Sequence, residues 1–322
     1  MKTKYQLFGC ILTVWLFCSG NALAQTYPVK PIRVIVPAGA GGAADILART
    51  LGEEMGPSLG TSFVVENRGG AGGIVGTDVV AKAPADGYTL MVWSNTFVIA
   101  PSLYRVPYDI HKDFASIGMI ASAPNLLVVN ADLKLKTLGE LLALARRTPG
   151  GLDYGSPAVG SAAHLTVELL ARASGAGFTH VPFKGPQQAI TETLGGRIPI
   201  TIAGVSNAMP HIKSGKLVAL ATTGITRTGL MPDVPTFAEA GVKGVEVALW
   251  FCMLAPASTP AAIIERLNRE LNLALKSPAM LTRLANFGFE PLGGAASMVA
   301  EAVRKEEPLY AKIIKDAAIK GE

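Results

Sequence analysis

The sequence predicts an α/β fold of two lobes, with a ligand cleft between lobes joined by two crossover connections, and three observations predict it. The chain has 322 residues, 49% apolar and only 16% charged, which is enough to bury a large core and long enough for that core to split in two. Its 35 Gly and 21 Pro punctuate many short elements. β-Branched runs alternate with four-residue apolar spacings along nearly the whole chain, the pattern of parallel strands covered by helices.

The first 24 residues stand apart from that fold. Lys2 and Lys4, an apolar run over residues 7–17, and the small residues Ala22 and Ala24 read as an export signal cleaved after Ala24, leaving Gln25 as the mature terminus. The run is shorter than the roughly 20 residues that span a bilayer. Export as a soluble mature protein is therefore expected; a lipoprotein start at Cys18 is disfavoured by the bulky Phe17 before it. Without Lys2 and Lys4 the chain carries 27 basic against 24 acidic residues, with no clustered Lys/Arg stripe, so no nucleic-acid partner is expected. Cys10 and Cys18 leave with the signal, and Cys252 stands without a disulfide partner.

In the mature chain, residues 32–36 read as a strand, and the glycine-rich VPAGAGGAAD leads into a helix carrying Leu47, Leu51 and Met55 on one face. Residues 63–66 form a second strand, 69–73 a turn into a helix ending at Val80, and 88–94 a third strand, a βαβαβ series. A second series follows: strand 126–130, a helix to Arg147 opened by the Thr137/Glu140 capping box, strand 152–154, helix 162–173, strand 179–183, helix 186–194, strand 198–203, helix 207–214 and strand 217–223. After the Pro-rich 231–235 comes a strand over 245–254. Thr259 and Pro260 are the expected N-cap and first residue of a helix through Leu275, and two more helices close the chain, the last containing Pro308, where a kink is expected. This helical ending has no strand of its own and should pack on the first sheet. The expected division is lobe one, 25–121 with 252–322, and an inserted lobe two, 122–251.

Each lobe holds a strand that runs into small residues opening a helix: PAGAGGAAD over 37–45 and YGSPAVGSAAH over 154–164. Small residues let a ligand approach the backbone, and the free N–H groups at a helix start form an anion site. The candidates are Ala38, Gly39, Ala40, Gly41 and Gly42 in one lobe and Gly160, Ser161, Ala162, Ala163 and His164 in the other, with Asp45 and Ser161 also plain helix-terminus residues. Ser94, Asn95 and Thr96 end the third strand at the expected cleft edge. Lys184 after a strand is a candidate attractor for an anion, and Trp250 and Phe251 are candidates for core packing or the cleft floor.

Three rival chemistries are weaker. Residues 39–44 fit G-x-G-x-x-A, with Glu66 about where a ribose-binding acid belongs, the mark of a dinucleotide-dependent enzyme; but Pro37 and Ala38 lengthen the turn, and an exported protein rarely keeps a diffusible cofactor. Gly204-Val205-Ser206-Asn207-Ala208 approximates a nucleophile elbow, yet the last histidine, His211, is only five positions on along the same helix. His111, His164, His180 and His211 are scattered without metal-ligand spacing. No catalytic set, cofactor or metal site is expected.

The segments YPVKPIRVIVP, VVENRGGAGG, AKAPADGYTL, PYDIHKDF, VPFKG, PHIKSGKLVALA, MPDVPTFAEAG and LAPASTP occur in the order in which they occur in Bug-type solute-binding proteins, the receptors of tripartite tricarboxylate transporters, and the resemblance covers essentially all of residues 26–322. It implies a type II periplasmic-binding-protein fold, a monomer that closes on a small carboxylate and delivers it to integral-membrane transporter subunits; a receptor serving a membrane sensor is the related alternative. It also implies that backbone amides and ordered waters hold the carboxylate in loops matching 37–42 and 160–163. This chain departs from the family pattern at Ala38, Gly39 and Ala40, where a bulky Phe-Pro-Pro is common, and at Ala203 and Gly204, where Asp-Asn is common. The implied pocket is roomier and less acidic.

Overall fold

The computed structural model describes residues 27–183, 185–245, 247 and 249–320, so the export signal and Lys184 lie outside the described residues. The first series is β1 (Ile32–Val36), α1 (Ala43–Leu59), β2 (Phe63–Asn67), α2 (Ile74–Ala81), β3 (Thr89–Ser94), α3 (Thr96–Leu103) and β4 (Phe114–Ala123). The second is β5 (Asn125–Asn130), α4 (Leu138–Arg147), β6 (Leu152–Ser156), α5 (Ala162–Ser174), β7 (Phe178–Pro182), α6 (Pro186–Leu194), β8 (Ile200–Gly204), α7 (Val205–Lys213) and β9 (Leu217–Thr222). The chain ends with β10 (Leu249–Pro256), α8 (Ala261–Ala274), α9 (Pro278–Asn286), β11 (Glu290–Pro291) and α10 (Ser297–Asp316).

These strands make two sheets, ordered β11-β4-β10-β3-β1-β2 and β7-β6-β8-β5-β9. Around β1 and around β6 the pairing is parallel, as the βαβ pattern requires. The returning strand β10 runs antiparallel between β3 and β4, and β5 runs antiparallel between β8 and β9, so both sheets are mixed. Only Pro124 separates β4 of the first sheet from β5 of the second.

Five local readings need correction. Strand β4 had no forecast, because FASIGMIASA is rich in small residues; packing chose them, since a Cβ on Gly118 would stand 2.9 Å from Leu271 of α8. The strand expected over 245–254 starts at Leu249. Pro260 rather than Thr259 is the N-cap of α8, and the Thr259 hydroxyl instead donates to the Pro256 carbonyl at 2.7 Å. The helical ending does contribute a strand, the two-residue β11 beside β4. α10 runs as one helix through Pro308. The Thr137/Glu140 capping box forms as expected.

The first sheet is buried on both faces. Val34, Leu51, Phe251 and Leu271 lie on one side, and Ile35, Met91, Trp250 and Tyr310 on the other. Leu165 of α5 is buried in that second cluster beside Phe97 and Val98, so the two lobes share apolar packing along one flank.

Candidate ligand-binding site

A cavity of about 820 Å³ opens between the sheets, where parallel strands end and helices begin. The N-terminal ends of six helices border it: α1, α2, α3, α5, α6 and α7. Among the described lining residues none is charged; the polar side chains are those of Trp93, Ser94, Thr96, Tyr104, Asn125, Ser161, Ser206 and Asn207. What it offers an anion is therefore peptide dipoles and first-turn N–H groups.

The first-lobe loop leaves β1 at Pro37. Gly41 has φ +78°, a left-handed conformation that favours glycine, and Gly42 is the N-cap of α1 with no side chain to serve as one. The Gly41 N–H donates to Asp45 Oδ2 at 2.9 Å, and Asp45 Oδ1 accepts from Arg49 Nε at 3.0 Å. Burial alone would raise the Asp45 carboxyl, but hydrogen bonds from Arg49 and from the Gly41 amide outweigh it and hold it below its ordinary range. Arg49 also donates to Asn67 Oδ1 at 3.3 Å. Gly39 to Gly42 are exposed.

The second-lobe loop leaves β6 at Pro157. Gly160 has φ +71° and is buried so closely under Leu103 of α3 that a Cβ would collide with it. Ser161 caps α5, its Oγ accepting from the His164 N–H at 3.2 Å and donating to the Ala158 carbonyl at 2.8 Å. His164 Nδ1 accepts from the Gly160 N–H at 3.0 Å. Under the loop His164 stacks on His180 with centroids 3.8 Å apart and planes 13° from parallel. His180 Nε2 is 2.7 Å from Ser156 Oγ, His164 Nε2 is 3.7 Å from Glu168 Oε1, and the Tyr154 hydroxyl donates to Glu168 at 2.9 Å. Burial and the neighbouring His164 pull His180 down to about 4, whereas contact with His164, helped by Tyr154, overcomes burial and holds Glu168 below its usual range.

Of the residues singled out from the sequence, Ala38, Gly39, Gly41, Gly42, Ser94, Gly160, Ser161, Ala162 and Ala163 border the cavity, as does Thr96. Four do not. Ala40 is exposed outside it, and Ala203 is buried behind it. Asn95 is fully buried and donates to the Tyr310 hydroxyl at 2.9 Å. His164 lies beneath its loop, and the scatter of histidines along the chain gives no hint that it meets His180. Phe251 faces the cavity while Trp250, on the opposite face of β10, donates its indole N–H to Glu306 at 2.8 Å. Phe287 and Phe289 were missed: they follow α9 without any motif, and contact across the lobes brings them to the mouth, Gly288 lying against Ser206. A local signal for them does not exist.

The rival chemistries lose their residues. Glu66 is held by Arg33 through bonds of 2.6 and 2.9 Å and does not border the cavity. Ser206 does border it, but His211 does not. Among the described residues no three His, Cys, Asp or Glu gather as metal ligands, and no helix is long and apolar enough to cross a membrane. Cys252 is free and buried.

Comparison with known proteins agrees with this geometry. The family model described as the tripartite tricarboxylate transporter family receptor matches residues 47–319. Protein BugT of Bordetella pertussis is 37% identical over 300 residues, 92% of either chain. Two solved structures from Rhodopseudomonas palustris are similar: Rpa4515 with adipate, at 34% identity and TM-score 0.80 over 91% of this chain and 99% of that one, and MatC with bound malate, at 30% identity and TM-score 0.76 over 89% and 100%. With a dipole-lined cavity between two mixed sheets and matches of this extent, the chain belongs to the tripartite tricarboxylate transporter receptor family, as a Bug-type solute receptor and not an enzyme.

Proposed function

We propose that this receptor closes on a small carboxylate, bridging the first-turn amides of α1 and α5, and hands it to integral-membrane subunits of a tripartite transporter. The observation that carries the reading is the cavity itself: six helix N-termini border it, and no charged side chain does among the described lining residues. An anion gains there from fixed dipoles without an ion pair. An ammonium group would lack a carboxylate partner, which disfavours amino acids and amines. Phe251, Phe289 and Phe287 form a chain of ring contacts at 5.7 and 6.2 Å that reaches the cavity wall and suits an aliphatic or aromatic body. Adipate and malate in the two similar receptors support the class.

In this reading the lobes comprise 25–121 with 252–322 and 122–251, the junctions falling within β4 and β10, which carry the chain between sheets. The receptor acts as a periplasmic monomer after cleavage behind Ala24. Ligand binding to both lobes favours the closed state in proportion to its preference for that state.

A thermal-shift panel tests the class. At a hundredfold excess over Kd a ligand adds about 2.7 kcal/mol, and each kcal/mol moves a chain of this size by roughly 2 to 4 °C. Adipate, benzoate and related carboxylates are expected to raise the melting temperature by several degrees. NAD, glucose and putrescine are expected to leave it unchanged. A response to NAD alone would restore the dinucleotide reading of residues 39–44, and silence across the carboxylates would remove the ligand class.

A further inference from the structure

Two five-residue segments repeat one device. Gly41-Gly42-Ala43-Ala44-Asp45 and Gly160-Ser161-Ala162-Ala163-His164 each place a left-handed glycine, an N-cap, two alanines and a third helical residue whose side chain turns back to accept the glycine N–H. The alanines hold the first-turn N–H groups that have no acceptor within the helix, and both pairs border the cavity. Tying the glycine amide back fixes the turn and thereby the direction in which the alanine amides point. In the first lobe a carboxylate does this, its charge offset by Arg49. In the second lobe an imidazole does it.

We propose that His164 is the positioning residue of the second-lobe loop: a neutral imidazole, wedged on His180, holds the Gly160 amide at Nδ1 and so sets the Ala162 and Ala163 amides at the angle that the bound anion requires. The ligand half of this statement rests on the carboxylate reading above; the loop half does not. Nδ1 accepts, so it carries no proton, and the ring proton sits on Nε2, 3.7 Å from Glu168. The groups that face the pair are Glu168 from α5 itself, Tyr154 from β6 and, uncharged, Ser156 and Ser161; Leu103 of α3 closes over Gly160 from the other lobe. A carboxylate at this place would put a second negative charge beside the half-buried Glu168 and under an anion site. Imidazole supplies the acceptor without the charge. Burial, with the neighbouring His164, keeps the stacked His180 low.

The test compares His164→Leu, which removes the acceptor, with His164→Asn, whose side-chain oxygen reaches about where Nδ1 lies. Amide exchange at Gly160 is followed by NMR in the ligand-free protein, and binding of adipate by calorimetry. In His164→Leu the Gly160 amide is expected to exchange about tenfold faster or more, and adipate to bind at least about tenfold more weakly; His164→Asn is expected to bring both within about threefold of the parent. Unchanged Gly160 protection in a folded His164→Leu, or equal impairment in the two variants, would overturn the proposal, since packing alone would then explain the histidine. Should His164→Leu not fold, the imidazole 15N signals of the parent decide: an unprotonated, hydrogen-bonded Nδ1 supports the assignment and a protonated Nδ1 at neutral pH overturns it. Adipate failing to bind the parent protein while the Gly160 results hold would remove the ligand reading and leave the positioning role standing.

Discussion

The loops that open α1 and α5 have the same backbone plan and opposite surroundings. The α1 loop is exposed, lacks a side-chain N-cap, and is held by a buried carboxylate paired with Arg49 and linked to Asn67. The α5 loop buries Gly160 under Leu103, is capped by Ser161, and is held by a stacked imidazole pair. Both present two alanine amides to one cavity. One geometric task thus has a charged solution where Arg49 pairs the buried carboxylate and an uncharged acceptor where Glu168 already stands beside the site. The two loops should answer differently to crowding, to acid and to loss of charge.

Crowding gives the largest expected difference. Gly160→Ala combines a left-handed backbone with a collision against Leu103 and is expected to cost about 2 to 4 kcal/mol, whereas Gly41→Ala, with the same backbone and open space around it, costs about 1 to 2 kcal/mol. Urea midpoints at constant slope measure both. Costs equal within about 0.5 kcal/mol would mean that the lobes do not press together at Gly160 in solution.

Acid comes next. His180 sits near 4 in the folded protein against an ordinary value near 6.5, so its contribution is fully present above about pH 6.5 and is lost as pH falls toward 4, because the unfolded chain takes the proton first. Asp45, held below its ordinary range, keeps its contribution through that window and loses it only below it. The melting temperature should therefore drop between pH 6.5 and 4.5, and His180→Gln should flatten the drop. A slope that survives in His180→Gln would assign it to other groups.

Charge is the third axis. Asp45→Asn keeps an acceptor for Gly41 but removes a negative charge beside the cavity and leaves Arg49 without its carboxylate partner, its bond to Asn67 remaining. Stability should fall by about 1 kcal/mol, while carboxylate affinity rises severalfold at low salt and the gain shrinks near 0.5 M NaCl. A salt-independent change would point to altered loop geometry instead.

Caps give the smallest effect. Ser161→Ala should cost about 1 kcal/mol, and Gly42→Ser, at a position whose backbone is already extended like an N-cap, should gain a few tenths. Helix stability by calorimetric unfolding of both variants checks the pair; a loss on Gly42→Ser would show that the open first-lobe loop needs glycine for some other reason.

The α/β alternation, the capping box before α4 and both loop motifs were legible in the sequence because each depends on neighbours within a few residues: period, cap and small-residue run are local quantities. Strand β4 was not legible, since its small residues answer to α8 across the sheet and not to any β-propensity of their own. The helix α3 was hidden for a related reason: TFVIAPSL continues the apolar run of β3 without a change of period, and burial on several sides erases the amphipathic signal.

By itself, then, the sequence determined the fold class, the order of elements and the two glycine–alanine loops that reach the cavity, together with the family motifs that run the length of the chain. Tertiary structure alone decided what stands behind and across from those loops. It sets His180, sixteen positions beyond His164, under the Gly160 turn, brings Phe287 and Phe289 from the chain's end to the cavity wall, and turns Asn95 and Ala203 away from it. The reason is physical: backbone preference acts over a single turn, whereas stacking, burial and the tautomer of an imidazole are fixed by residues that meet only when two sheets and their helices have closed around one another.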